Sequence, residues 1–278
     1  MPKKTVLITG CSSGFGRLTA KTFSAKGWNV IATMRSPDKE TELTELDNVW
    51  VARLDVTDPD SIEQAVKAGI ERFGAIHVLV NNAGYGGHTM FEQATDTAIR
   101  AMYDTNVFGL MNVSRALLPL MRRQKDGCIV NVTSMGGLMG VPCGSIYSST
   151  KHAVQGLTEA MALEYKPLGI SVKSVLPGAY PTRFTENLDV GVDAGDEELS
   201  TYAHQLFAHL QGVAQQMGNA GGKEADPQEV ADKIFECATS STPVHNPVGA
   251  DAEMLVGMMG AGARQDFLDK LEGMLLPQ

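Results

Sequence analysis

Tyr147 and Lys151 lie four residues apart in Ile146-Tyr-Ser-Ser-Thr-Lys-His152. On a segment with helical apolar periodicity, that spacing puts the phenol and the ammonium on one face. A phenol titrates near ~10 in water, and a cation one helical turn away favours its phenolate, so Lys151 is expected to lower the Tyr147 pKa. The pair suits proton transfer coupled to hydride chemistry at a carbonyl or an alcohol. Spacing alone is also that of an ordinary exposed helix surface, so the surrounding residues matter. Ser134 ends the apolar run that begins at Cys128, and a strand near the amino terminus leads into the turn Thr9-Gly-Cys-Ser-Ser-Gly-Phe-Gly16. Glycines between a strand and a helix permit a tight turn and present the helix's unpaired N–H groups to a pyrophosphate.

The elements needed to position these residues are visible in the pattern. Short β-rich runs occupy 5–9, 29–33, 49–54, 77–81, 129–133, 171–176 and 244–248, with helical patterns at 14–26, 59–73, 94–123, 146–166 and 227–239. This alternation predicts an α/β fold of Rossmann type: one doubly wound parallel sheet of about seven strands with helices on both faces, in one domain over 1–278. Such a sheet places its ligand crevice at the carboxyl ends of the strands, where the residues above fall. The stretch 182–223 departs from the rhythm and is read as an inserted helical lid over the substrate. The tail 250–278 carries Met254, Met258 and Met259 at helical spacing, suited to core packing or to closing one side of a pocket.

Composition narrows the class. A formal net charge of −9 over 278 residues argues against nucleic acid or an acidic membrane as partner. Cys11, Cys128, Cys143 and Cys237 are widely spaced, which predicts free thiols, no disulfide and no zinc or other metal. The first strand starts within a few residues of Met1 and the apolar runs are strand-sized, so a cytoplasmic protein is expected.

Taken in order, these motifs resemble those of the short-chain dehydrogenases/reductases over almost the whole chain. The glycine turn matches from Thr9 to Gly16, the Asn-Asn-Ala-Gly segment from Asn81 to Gly84, and the acidic residue after the third strand falls on Asp55. The resemblance carries the family's catalytic set onto Asn106, Ser134, Tyr147 and Lys151, and its Pro-Gly segment onto Pro177, Gly178 and Thr182. It implies that Tyr147 exchanges the proton, that Ser134 holds the substrate oxygen, and that Lys151 binds the nicotinamide ribose. It further implies that Asn106 carries a water linking Lys151 to solvent. The implied cofactor site comprises Gly10, Ser12, Ser13, Gly14, Phe15, Gly16, Arg35, Asp55, Val56, Asn82, Ala83, Gly84, Tyr147, Lys151, Pro177, Gly178 and Thr182, with the pro-S hydride exposed.

The second strand ends in Ala-Thr-Met-Arg35 with no carboxylate for the adenine-ribose hydroxyls, and Arg35 with Ser12 suits a 2′-phosphate, so NADP(H) is favoured over NAD(H). The same signature and the segment from Pro177 to Phe184 look like the 17β-hydroxysteroid dehydrogenase, retinol dehydrogenase and ketoreductase branch, implying a bulky apolar ketone or secondary alcohol. Met139, Val141, Cys143, Gly144, Tyr180, Phe184, Phe207 and Met258 or Met259 are the expected pocket residues. His88, His204, His209 and His245 are read as surface or packing residues. The leading reading is an NADP(H)-dependent ketone reductase. Alternatives are an NAD(H)-dependent secondary-alcohol dehydrogenase, a dinucleotide-sensing binding protein on the same fold and, last, an epimerase or dehydratase. Family resemblance also implies a homodimer or homotetramer assembled through the helices at 101–123 and 153–166.

Overall fold

The computed structural model describes residues 3–87, 89–180, 196–218 and 225–277. Seven strands form one parallel sheet: β1 (Thr5–Ile8), β2 (Asn29–Met34), β3 (Val49–Arg53), β4 (Val78–Asn81), β5 (Gly127–Val132), β6 (Ile170–Pro177) and β7 (His245–Val248), in the order β3-β2-β1-β4-β5-β6-β7. The reversal of strand order falls between β1 and β4, and there the crevice opens at the carboxyl edge.

Strand side chains alternate between two apolar layers, as the two-residue repeat demands. Val6 and Ile8, Val30 and Ala32, Val78 and Val80, and Cys128, Val130 and Val132 pack on one face with Ala20, Phe23, Val230 and Ile234. Leu7, Ile31, Leu79 and Ile129 pack on the other with Ile62, Val66, Val113, Leu117 and Met161. The first layer is covered by α1 (Gly14–Ala25), and the second by α2 (Pro59–Phe73). Because both faces are buried, these strands read as near-continuous apolar runs rather than as alternation with polar residues.

The helical pattern expected at 94–123 is one path with three parts: α3 (Asp96–Tyr103), a π-helical segment (Asp104–Gly109) and α4 (Leu110–Gln124). The wide turn holds Asn106, which is 2% exposed; insertions of this kind often mark functional positions. Gly109 in the same segment leaves space that Val56 fills, since a Cβ there would lie 2.6 Å from Val56 Cγ2. The catalytic-type pair rides on α5 (Ser145–Tyr165).

Within the stretch read as a lid, α6 (Glu197–Gly218) is helical. It is followed by α7 (Gln228–Thr239), α8 (Ala250–Gly260) and α9 (Arg264–Leu275). Buried Lys173 on β6 donates to the carbonyls of Cys237 (2.8 Å) and Ser240 (2.6 Å), placing a cation on the last turn of α7. All four cysteines are free and buried. Among the described residues no helix is long and apolar enough to cross a membrane.

Candidate active site

The glycine turn is held shut from β4. Asn82 Nδ2 donates to the carbonyls of Thr9 (2.9 Å) and Gly10 (3.1 Å), while Thr9 Oγ1 accepts from the backbone of Asn82 and Ala83, each at 3.0 Å. Gly10 adopts φ +72, and a Cβ on it would press on the Ala83 backbone. A Cβ on Gly16 would overlap the Gly10 carbonyl oxygen and lie 2.5 Å from Asn82 Nδ2. Ser13 is the N-cap of α1, yet its side chain makes no cap hydrogen bond, so the first N–H groups are not taken by their own cap. Ser12 is exposed beside them. This close turn ahead of an uncapped helix end fits a dinucleotide pyrophosphate.

Toward the adenosine end, Arg35 is exposed at the end of β2. The Asp55 carboxyl is partly buried, which by itself would raise its pKa. Bonds from the Thr57 backbone and hydroxyl and the charges of Arg35 and Arg53 outweigh that and lower it. Asp55 thus shapes a turn ahead of α2, whose N-cap is Asp58, accepting from Asp60 and Ser61. Val56 turns inward against Gly109. Sequence reasoning missed Arg17, which donates to the Ser12 carbonyl, Glu40 and Glu42, each at 2.7 Å; the only signal was a cation directly after Gly16.

At the reacting end, Ser134 follows β5 and its Oγ accepts from Gly136 N at 3.0 Å. Tyr147 is hydrogen-bonded with Ser134. Lys151 is 6% exposed, donates from Nζ to the Val132 carbonyl at 3.1 Å and sits 5.6 Å from the Tyr147 ring centre. Asn106 accepts from Tyr85 N at 3.0 Å and donates to the Tyr85 carbonyl (2.8 Å) and Thr150 Oγ1 (3.2 Å). A Cβ on Gly84 would touch both Asn106 Oδ1, at 3.1 Å, and Lys151 Nζ, at 3.7 Å, which fixes how closely the two approach. Asn106, Ser134, Tyr147, Lys151 and Gly84 are therefore gathered at one point of the crevice.

The expectation that Lys151 lowers the Tyr147 pKa does not match this geometry. Burial pushes the Tyr147 phenol up to about 12, with the Ser134 hydroxyl opposing it, and burial pulls Lys151 down to about 8. Withdrawing each group from water favours its neutral form. In the free protein the phenol is a proton donor, not a phenolate.

The residues expected to line a substrate pocket fall in several places. Met139, Val141 and Met258 join one apolar cluster with Met135, Leu210, Val213, Leu255, Met259 and Phe267, drawn from the segment after Ser134, from α6 and from the last two helices. Met135, Leu138, Met139, Leu176, Leu255, Val256, Met259 and Phe267 surround a void of only about 10 Å³, about the room one water needs. Most of those residues were not foreseen, because the wall they share joins segments far apart in sequence. Cys143, at φ +57, turns toward Met90, and burial raises its thiol pKa. Gly144 is the N-cap of α5, and Phe207 is half-buried on α6. Tyr180 departs from expectation: its ring packs edge-on against Phe15, 5.7 Å between centres, and its hydroxyl donates to Glu229 at 3.0 Å, so it braces the glycine turn instead of lining the pocket. Thr182, Phe184 and His88 lie outside the described residues.

His245 touches Ser174 Oγ (2.9 Å) and Gln155 Nε2 (3.1 Å) through Nδ1 and Glu159 Oε1 (2.9 Å) through Nε2, a Ser-His-Glu array whose ring nitrogens are reversed relative to a hydrolytic triad. Ser174 is fully buried within the sheet, out of reach of an electrophile, so the array ties α5 to β6 and β7.

Residues 4–193 match the family model for short chain dehydrogenase. The chain is 36% identical over 256 residues to 3-ketodihydrosphingosine reductase of Bacteroides thetaiotaomicron, covering 92% of this chain and 91% of that one. It is 32% identical over 255 residues to estradiol 17-beta-dehydrogenase 1 of Rattus norvegicus, covering 87% and 72%. The solved structure of ElxO with NADP bound superposes with a TM-score of 0.76 at 28% identity, covering 91% of this chain and 99% of that one.

Proposed function

The chain belongs to the short-chain dehydrogenase/reductase family, nicotinamide-dinucleotide oxidoreductases acting on CH–OH groups, and from that premise we propose that it is an NADP(H)-dependent reductase of bulky apolar ketones. The observation that carries this reading is the half-buried Tyr147 phenol, hydrogen-bonded with Ser134 and one helical turn from buried Lys151. When bound, the nicotinamide supplies the hydride. Tyr147 donates its phenolic proton to the carbonyl oxygen as charge develops there, and Ser134 holds that oxygen by a second hydrogen bond. Lys151, held at the end of β5 by Val132, would bind the nucleotide ribose and would stabilise the phenolate that donation leaves behind. Asn106, beside Gly84 and Lys151, opens the route by which the proton is replaced from solvent.

Gly10, Ser12, Ser13, Gly14, Phe15 and Gly16 would hold the pyrophosphate, Asn82, Ala83 and Gly84 would form the wall opposite, and Pro177 and Gly178 would lie beside the reacting ring. Arg35 selects the 2′-phosphate. The similarity to a 3-ketodihydrosphingosine reductase and to an estradiol dehydrogenase supports a large apolar substrate, and the methionine-rich wall suits one by adapting its shape. The 182–223 insertion acts as the lid: Leu210 and Val213 of α6 already pack on the last two helices. Exposed Phe108 and Leu163 on the long helices give a surface for a homodimer or homotetramer.

The test is consumption of NADPH against NADH with ketones from small aryl ketones to steroids and long-chain 3-ketones. Selective NADPH oxidation with one apolar class is expected. Nucleotide binding without turnover on any ketone would instead favour the dinucleotide sensor.

A further inference from the structure

The segment after β6 is held by a residue from the other end of the chain. Pro177 pairs with Val248 across the sheet edge, and Gly178 N donates to the Val248 carbonyl at 2.9 Å. One residue farther, Ala179 N donates to Asp251 Oδ2 at 2.7 Å, while Asp251 Oδ1 accepts from Ala252 N at 2.8 Å. Asp251 opens α8 and is 4% exposed. The fit is close on both sides: a Cβ on Gly178 would overlap the Asp251 carboxylate, and one on Gly249, at φ +99, would lie 2.8 Å from Oδ1. Tyr180 then carries the chain to Phe15 and Glu229.

We propose that Asp251 is a positioning residue for the reacting half of the dinucleotide site, fixing the Gly178-Ala179-Tyr180 turn against which the nicotinamide end lies. The inference rests on the dinucleotide reading of the crevice. The location follows from topology: β5 and β6 are neighbours, Val132 pairs with Val175, and Lys151 bonds to Val132, so the turn beginning three residues beyond Val175 borders the Tyr147–Lys151 point. At the other end of the same turn, Tyr180 touches the glycine turn that receives the pyrophosphate. The turn therefore spans the ring-bearing half of a bound dinucleotide and not its adenosine half. A carboxylate is required because two N–H groups converge on it from different elements; an amide has one acceptor oxygen and leaves one buried donor unpaired. The same helix α8 contributes Leu255 and Met259 to the apolar cluster with Met139 and Val141, so the residue that holds this turn also anchors one side of that cluster.

The test compares two probes on wild type and Asp251→Asn: NADPH, and 2′-phospho-adenosine diphosphate ribose, which keeps the adenosine half and lacks the ring. We expect about a tenfold loss of NADPH affinity, the worth of roughly one hydrogen bond to a charged group, with the truncated probe changed less than about twofold. Gly178→Ala, which disturbs the same contact from the other side, gives the same selective loss. Equal weakening of both probes in both variants, or no change in either, overturns the positioning role while leaving the dinucleotide reading intact. Wild-type protein that binds neither probe overturns the dinucleotide reading and the proposal with it.

Discussion

Replacing Lys151 with methionine should stabilise the protein at neutral pH while removing its activity. Lys151 is 6% exposed and its pKa falls from 10.5 to about 8 because burial penalises the ammonium. The unfolded chain therefore binds more protons than the folded one between about pH 8 and pH 10.5, so this group's contribution to stability rises with pH across that window. Below pH 8 the full penalty for holding a buried cation applies. Lowering the pKa from 10.5 to about 8 corresponds to about 3 kcal/mol. Methionine also leaves the Val132 carbonyl without its lysine donor, at a cost of about 1 kcal/mol. The net gain at pH 7 is about 2 kcal/mol, or roughly 4–8 °C in Tm for a chain of this size. Urea unfolding of both proteins at pH 7 and pH 10 reads it: at pH 10 the penalty shrinks below about 1 kcal/mol, so the advantage disappears. A Lys151→Met protein less stable than wild type at pH 7, or an advantage equal at both pH values, would refute the burial argument.

Gly16→Ala pushes a methyl group into the Gly10 carbonyl and Asn82 Nδ2; overpacking of about 1–3 kcal/mol should lower Tm and weaken nucleotide binding tenfold or more, read by calorimetry and by nucleotide titration. Arg35→Ala should reduce NADPH affinity by about 10- to 100-fold, the range for hydrogen bonds to a charged group, with NADH affinity unchanged; equal effects on the two nucleotides would leave Arg35 without a role in choosing between them.

The sheet is legible because each strand is a short apolar run bounded by turn residues, as Thr5–Ile8 is ahead of the glycine turn; being apolar throughout, the run does not say that Val6 and Ile8 cover one face and Leu7 the other. The same holds for Tyr147 and Lys151, whose four-residue spacing puts them on one face of α5. Their protonation was misjudged because spacing reports the neighbouring charge but not the depth of burial, and burial dominates both groups. Tyr180 was misplaced for a related reason: an aromatic after a Pro-Gly pair suits either wall of the crevice, and only Phe15 and Glu229, distant in sequence, decide which. Asp251 carries no signal in the tail 250–278, whose methionines draw the reading, until Ala179 N is seen upon it, 72 residues away. The wide turn at Asn106 leaves no mark in periodicity, since one extra residue in a helix shifts the apolar pattern by less than a turn.

The central claim is that Tyr147 donates the proton, and Tyr147→Phe tests it most directly. The ring stays and only the hydroxyl leaves, so NADPH titration should give an affinity within about twofold of wild type while ketone reduction falls by at least the 10²-fold that acid–base catalysis contributes. A phenylalanine variant that binds NADPH normally and reduces the ketone at the wild-type rate would contradict the account.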